Sequence, residues 1–110
     1  NYTVPLPALP PKCACGGLLR PGVVWFGETL SPVVLEQAFA AARRAQVFLV
    51  VGTSAVVHPA ASLPLVAKQV GARVIEINLE ETFISAVADA SFYGKAGEIL
   101  PALVTASIQQ

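Results

Sequence analysis

"QVFLVVGTS", Gln46 to Ser54, decides how this chain folds. Its first seven residues form a continuous apolar run that ends in glycine. A strand buried on both faces of a parallel sheet reads this way, whereas a strand with one wet face alternates apolar and polar residues. In open parallel sheets ligands sit beyond the carboxyl ends of the strands. A glycine there lets the backbone come close to a ligand, and hydroxyls such as those of Thr53 and Ser54 can hold phosphate or ribose oxygens. The same stretch therefore marks both a central strand and a candidate site.

Working outward, Ser31-Pro32 offers an N-cap and a first-turn proline to "VVLEQAFAAARRA", which has two arginines near its C-terminal end. The expected helix runs from Pro32 to Arg44. After "TSAVVHP" a second helix is expected from Ala60 to Val70, where Pro64 is tolerable only in the first turns and Gly71 closes the element. "RVIEIN", Arg73 to Asn78, is the next strand, and Phe92-Tyr93 lies in a further short one. Gly97 to Ile108 reads as an amphipathic helix with Pro101 early in it. Upstream, "GVVWF", Gly22 to Phe26, reads as a strand or extended edge segment. Asn1 to Pro11, with four prolines in eleven residues, reads as an extended arm. Helices alternating with strands give an α/β fold, half of a Rossmann-like doubly wound parallel sheet.

Composition narrows the function classes. Hydrophobic residues make up 55% of the 110 positions and charged residues 13%, more apolar surface than one free-standing domain of this size usually carries. Part of that surface is expected to face protein beyond this chain, and self-association is the expectation for the chain alone. Seven basic and seven acidic side chains cancel and lie scattered, which argues against a nucleic-acid partner or a polybasic membrane patch. The longest apolar stretch, Val47 to Val57, is interrupted at Gly52 and falls short of the roughly 18 to 20 residues that span a bilayer. "NYTVPLPALPP" has no initiator Met, basic n-region or apolar h-region and reads as a chain entered partway along. With two cysteines and no extracellular cue, a reduced cytoplasmic setting is expected.

Several side chains admit two readings from the residues alone. Gly52-Thr53-Ser54 either holds a ligand or caps the next helix. Asn78 ends the following strand, where dinucleotide sites place a reader of ribose hydroxyls, or it terminates the strand as a turn residue. His58, the single histidine, has no carboxylate or nucleophile beside it and reads as a packed loop residue instead of a general base. Cys13 and Cys15 are two thiols where structural zinc takes four ligands. Half a zinc site leads, with a redox pair and solitary structural cysteines as alternatives, because a C-x-C ring is tight for a disulfide. No G-x-G-x-x-G is present, so at most half of a dinucleotide pocket is expected.

The motifs "CGGLLRPGVVWFGE" (Cys15 to Glu28), "GTSAVVHPAASL" (Gly52 to Leu63), "VIEINLE" (Val74 to Glu80) and "FYGKAGEILPAL" (Phe92 to Leu103) occur in this order. Together they resemble the sirtuins, NAD-dependent protein-lysine deacylases, and "RPGVVWFGE" is similar to the bacterial desuccinylase-like class. The resemblance implies that Gly52, Thr53 and Ser54 contact the ribose and phosphate region of NAD. It implies that Asn78, with Leu79 beside it, binds the adenosine ribose, and that Lys95 and Ala96 border the adenine. Val24, Trp25, Phe26, Gly27 and Glu28 would pair as a strand with an acyl-lysine peptide, and Val57 would line the opposite strand of that tunnel. Cys13 and Cys15 would be the second cysteine pair of a zinc site, one residue closer than the usual C-x-x-C, a shortened spacing found among bacterial members.

The resemblance also implies a chemistry for the intact enzyme. The acyl oxygen of the lysine attacks the ribose carbon as nicotinamide leaves, a histidine deprotonates the ribose hydroxyl, and free lysine, nicotinamide and O-acyl-ADP-ribose result. The family's catalytic histidine, Gly-Ala-Gly loop and first cysteine pair all precede the region that matches this chain. His58 is not at the catalytic position. The expected division is an arm with a partial zinc-binding segment over residues 1–21 and the C-terminal half of the NAD-binding domain over 22–110. The missing N-terminal half is then the principal partner, and the chain alone is expected to be inactive. A second reading is a non-catalytic nucleotide-binding module resembling the central domain of thiamine-diphosphate enzymes, which leaves "CACGG" and "VVWFGE" unexplained.

Overall fold

The chain divides into two compact units, Asn1–Leu30 and Ser31–Gln110. The structure, a computed structural model, describes residues 4–108, the last of them by its backbone alone.

The larger unit opens with helix α1 (Pro32–Arg44) and strand β1 (Val47–Val51). A 3₁₀ turn (Ala60–Ser62) then leads into α2 (Leu63–Gln69), followed by β2 (Arg73–Asn78). A second 3₁₀ turn (Phe83–Ala86), β3 (Ala90–Tyr93) and α3 (Ala96–Ile108) complete it. The three strands form one parallel sheet in the order β1-β2-β3. Val47 faces Arg73 and Val51 faces Ile77 on one side of β2, while Ile75 faces Ala90 and Asn78 faces Tyr93 on the other. All three strands consequently end on the same side, at Val51, Asn78 and Tyr93.

Local chemistry accounts for the helices. Pro32 begins α1, where an amide has no intrahelical partner to lose. Arg43 and Arg44 close it at the negative end of the helix dipole. Ser31 caps with its carbonyl, which accepts from Leu35 N at 3.0 Å, and its hydroxyl makes no cap bond. The segment after β1 starts as a 3₁₀ turn and becomes α-helical only at Leu63, so Pro64 falls in the first α turn and costs no hydrogen bond. Pro101 is different, because it lies inside α3, where no amide is left to donate to the Gly97 carbonyl.

Two apolar clusters hold the unit together. Ala42, Ala67 and Ala72 are buried with Leu63, Val66 and Phe48 around them, small residues that let α1 and α2 approach closely. Val50, Ala55, Val74 and Ile84 form the second cluster, between β1, β2 and the turn before β3. The continuous run from Gln46 to Gly52 suggested burial on both faces, and here the structure corrects the sequence reading. Val50 is buried, whereas Val47, Leu49 and Val51 are 55%, 47% and 36% exposed, because no described element of this unit covers their face.

In the smaller unit an antiparallel bridge between Lys12 and Leu18 encloses a tight knuckle. Cys13 N donates to Gly17 O and Gly16 N to Cys13 O, both at 2.9 Å. Gly16, at φ +85°, takes the left-handed conformation that this turn requires. The strand expected over Gly22 to Phe26 is absent: these residues form bends and the start of a turn, with no neighbouring strand in their unit to take up their backbone groups.

Candidate functional site

The carboxyl ends of β1 and β2 open into a cleft of about 280 Å³ lined by Gly52, Thr53, Ser54, Asn78, Glu80, Glu81 and Thr82. Gly52 leaves the strand at φ +61°, and its N–H still donates to Ile77 O at 2.9 Å, so the chain turns sharply while staying tied to β2. Thr53 Oγ1 accepts from Ala55 N at 3.1 Å, which shapes the loop. Asn78 joins the two strand ends. Its Nδ2 donates to Thr53 O at 2.7 Å, and its Oδ1 accepts from Leu79 N at 2.9 Å. One Nδ2 hydrogen and one Oδ1 lone pair remain for a ligand. Leu79, beside it, is 71% exposed.

Lys95 and Ala96 lie where β3 passes into α3. Gly94 N donates to Asn78 O at 2.8 Å, which ties this turn to the strand end that carries Asn78. The Lys95 carbonyl accepts from Glu98 N and Ile99 N and so starts α3, while its ammonium sits 3.8 Å from Glu98 in an exposed pair. Val57 lies in the loop after β1, half-exposed, and its carbonyl accepts from Ala61 N. His58 bonds Ser62 Oγ through Nδ1 at 3.1 Å and lies near Ala55, Ala61, Leu65 and Phe83, away from the residues of the cleft.

Glu80, Glu81 and Thr82 are cleft residues that the sequence reading missed. Their signal was the polar "LEET" directly after a strand that ends in Asn78. What fixes them is Glu76, the one buried charged residue described, fully enclosed in β2. Its carboxylate accepts from the hydroxyls of Thr82, Ser85 and Ser91, the last at 3.0 Å. Thr82 and Ser85 also cap the turn reciprocally, Thr82 Oγ1 accepting from Ile84 N and Ser85 Oγ from Thr82 N. Burial alone pushes the Glu76 carboxyl up, but the bonds from Ser85, Thr82 and Ser91 together outweigh it and hold the group below its ordinary value.

Asp89 anchors the opposite end of the sheet. It accepts from Val74 N at 2.8 Å and pairs with Lys68 at 2.8 Å and Arg73 at 3.6 Å. Its carboxyl is held below the usual range, first by the Lys68 hydrogen bond and then by the Val74 amide.

The knuckle brings Cys13 and Cys15 together, with their Cα atoms 5.4 Å apart and their sulfurs side by side. Cys15 N also donates to Cys13 Sγ at 3.2 Å. Among the described residues no group of three or more His, Cys, Asp or Glu side chains is placed to hold a metal ion. As a donor set, the reduced pair fits two positions of a tetrahedral thiolate site.

Trp25 to Glu28 form an exposed turn in the smaller unit. Glu28 N donates to Trp25 O at 3.0 Å, and Gly27 sits at φ +86°.

The Sir2 family model matches residues 3–59, about half of the chain. An NAD-dependent protein deacylase of Aquifex aeolicus is 62% identical over 97 residues, 87% of this chain and 41% of the relative. NAD-dependent protein deacylase 1 of Archaeoglobus fulgidus is 58% identical over 90% of this chain and 40% of its own length. The chain thus spans about 40% of these curated relatives. Among solved structures, a complex of a Sir2 homologue with NAD superposes with a TM-score of 0.83 at 57% identity, covering 90% of this chain and 39% of that one. A Sir2–p53 peptide–NAD+ complex gives 0.77 at 33% identity, over 91% of this chain and 42% of that one. These matches leave no support for the thiamine-diphosphate-enzyme alternative. A parallel sheet ending in a Gly-Thr-Ser and Asn cleft, with identity this high along nearly its whole length, makes the chain a member of the Sir2 family.

Proposed function

We propose that this chain forms one wall of the NAD pocket and the peptide-pairing segment of an NAD-dependent protein-lysine deacylase. The observation that carries this is the cleft at the ends of β1 and β2, where Gly52, Thr53, Ser54 and Asn78 converge. The relatives' solved complexes with NAD, ADP-ribose and acylated or p53 peptides support the ligand classes.

In this reading, Gly52 brings the backbone close to the cofactor's ribose and phosphate region, and Thr53 and Ser54 supply hydroxyls there. Asn78, held by Thr53 and Leu79, keeps one donor and one acceptor for the ribose hydroxyls. Leu79, Lys95 and Ala96 border the adenine. Bound NAD supplies the reactive ribose carbon and the departing nicotinamide. Val24 to Glu28 align the peptide by strand-like pairing, with Val57 on the other side of the acyl-lysine. In reduced form Cys13 and Cys15 give two thiolates to a structural zinc whose other ligands come from outside this chain. The acid–base group for the ribose hydroxyl also comes from the remainder of the protein.

The test compares the whole protein with this 110-residue chain. The whole protein is expected to release nicotinamide in the presence of NAD and an acyl-lysine peptide, and the chain alone to release none. Asn78→Ala in the whole protein raises the KM for NAD about tenfold, the loss of one to two ribose hydrogen bonds. Turnover by the isolated chain, or an unchanged KM in the variant, would overturn the assignment.

A further inference from the structure

The turn before α1 is held by an arginine to which the proposed function gives no role. Arg20 reaches across eight residues to Glu28, with Nη1 at 2.7 Å from Oε1 and Nη2 at 3.2 Å from Oε2. Arg20 Nη2 also donates to Val23 O at 3.3 Å, and its guanidinium lies 5.8 Å from the centroid of the Trp25 ring. Glu28 in turn accepts from Trp25 N at 3.0 Å through Oε2, and its own N–H donates to Trp25 O. The fork–fork geometry is one that arginine makes and lysine does not. The hydrogen bond from Arg20, then that from the Trp25 amide, hold the Glu28 carboxyl below its ordinary value.

This arrangement consumes both backbone groups of Trp25 inside the turn. Among the described residues the N–H and C=O of Val24 and Phe26 have no partner within the chain. Val23, Val24, Trp25 and Phe26 are 57%, 52%, 55% and 93% exposed. An apolar, unpaired segment such as this would ordinarily fluctuate, and a peptide pairing with it would bear the cost of ordering it. A pair as exposed as Arg20–Glu28 adds little to global stability. Its geometric effect is local: it closes the turn and fixes which edge of the segment is left open.

We infer that Arg20 and Glu28 are positioning residues that pre-shape the Val23–Gly27 segment for an extended peptide, with Glu28 acting inside the turn and not on the substrate. The inference rests on the peptide-pairing role proposed above. It assigns the pairing backbone groups to Val24 and Phe26 and removes Trp25 from that set.

Trp25 is the only tryptophan of the chain, so its emission reads the turn directly and without any peptide. Arg20→Gln is expected to shift that emission and raise its accessibility to a soluble quencher, with the unfolding midpoint unchanged. Arg20→Lys is expected to recover only part of the wild-type signal. In the whole protein, Arg20→Gln should raise the KM for an acyl-lysine peptide about tenfold while kcat and the KM for NAD stay within twofold. An unaltered Trp25 signal in Arg20→Gln overturns the clamp. An altered signal with an unchanged peptide KM overturns its positioning role. Absence of deacylation by the unsubstituted whole protein would instead refute the proposed function, and the Trp25 measurement distinguishes that failure from failure of the clamp.

Discussion

A carboxylate in the middle of a sheet is the residue on which the candidate cleft depends. Among the described residues Glu76 meets no cation; the hydroxyls of Thr82, Ser85 and Ser91 satisfy it, and through Thr82 it holds the loop that carries Glu80 and Glu81. Glu76→Gln keeps the shape but turns an amide toward donors, so the mutant should lose about 2 kcal/mol of stability at neutral pH. The folded carboxyl titrates below its unfolded value, so its contribution is complete above the ordinary carboxylate range and is lost as pH falls through the depressed folded value. Glu28 and Asp89 are depressed as well and act in the same direction. The informative quantity is therefore the difference between wild type and Glu76→Gln in urea unfolding across pH. That gap should close in acid, and a gap equal at neutral and strongly acid pH would contradict the role given to Glu76.

At the scale of elements, the α1–α2 seam is set by alanines. Ala67 is fully buried against Ala42 and Ala72, with Phe48 and Val66 alongside. Close-packed interiors do not absorb added methylenes, so Ala67→Leu should cost about 1–3 kcal/mol by forcing the helices apart. Thermal unfolding followed by far-UV circular dichroism measures this, and an unchanged midpoint would show that the seam is looser than its burial implies. The exposed Ala41 of α1 provides the control, since Ala41→Leu on the outer face should leave the midpoint nearly unchanged.

For the whole molecule, the open face of β1 is the dominant fact. Val47, Leu49 and Val51 are exposed on a strand whose sequence suits burial on both sides, and the chain spans about 40% of its curated relatives. Under the proposed function, the part of the protein outside this chain is expected to cover this face. In isolation, a second copy of the chain is expected to cover it. Sedimentation of the isolated chain should then exceed the monomer mass, and Leu49→Lys should return it toward monomer. A monomeric wild-type chain at tens of micromolar would refute this expectation. No described helix is long and apolar enough to cross a membrane.

The sequence by itself determined the elements and their order. Apolar runs, punctuating glycines and first-turn prolines are local signals, and they placed α1, β2 and the Gly52–Ser54 and Asn78 ends where the structure has them. Only tertiary structure decided the rest, because those features depend on contacts between residues far apart in the chain. "GVVWF" has the composition of a strand but no neighbour in its unit, so Arg20 and Glu28 fold it into a turn instead. Nothing in "RVIEIN" marks Glu76 as special; its burial depends on Thr82, Ser85 and Ser91, which only the fold brings to its carboxylate. The apolar run of β1 encodes a strand that can be buried twice over, but burial needs a covering layer, and the described elements of its unit supply one on a single face.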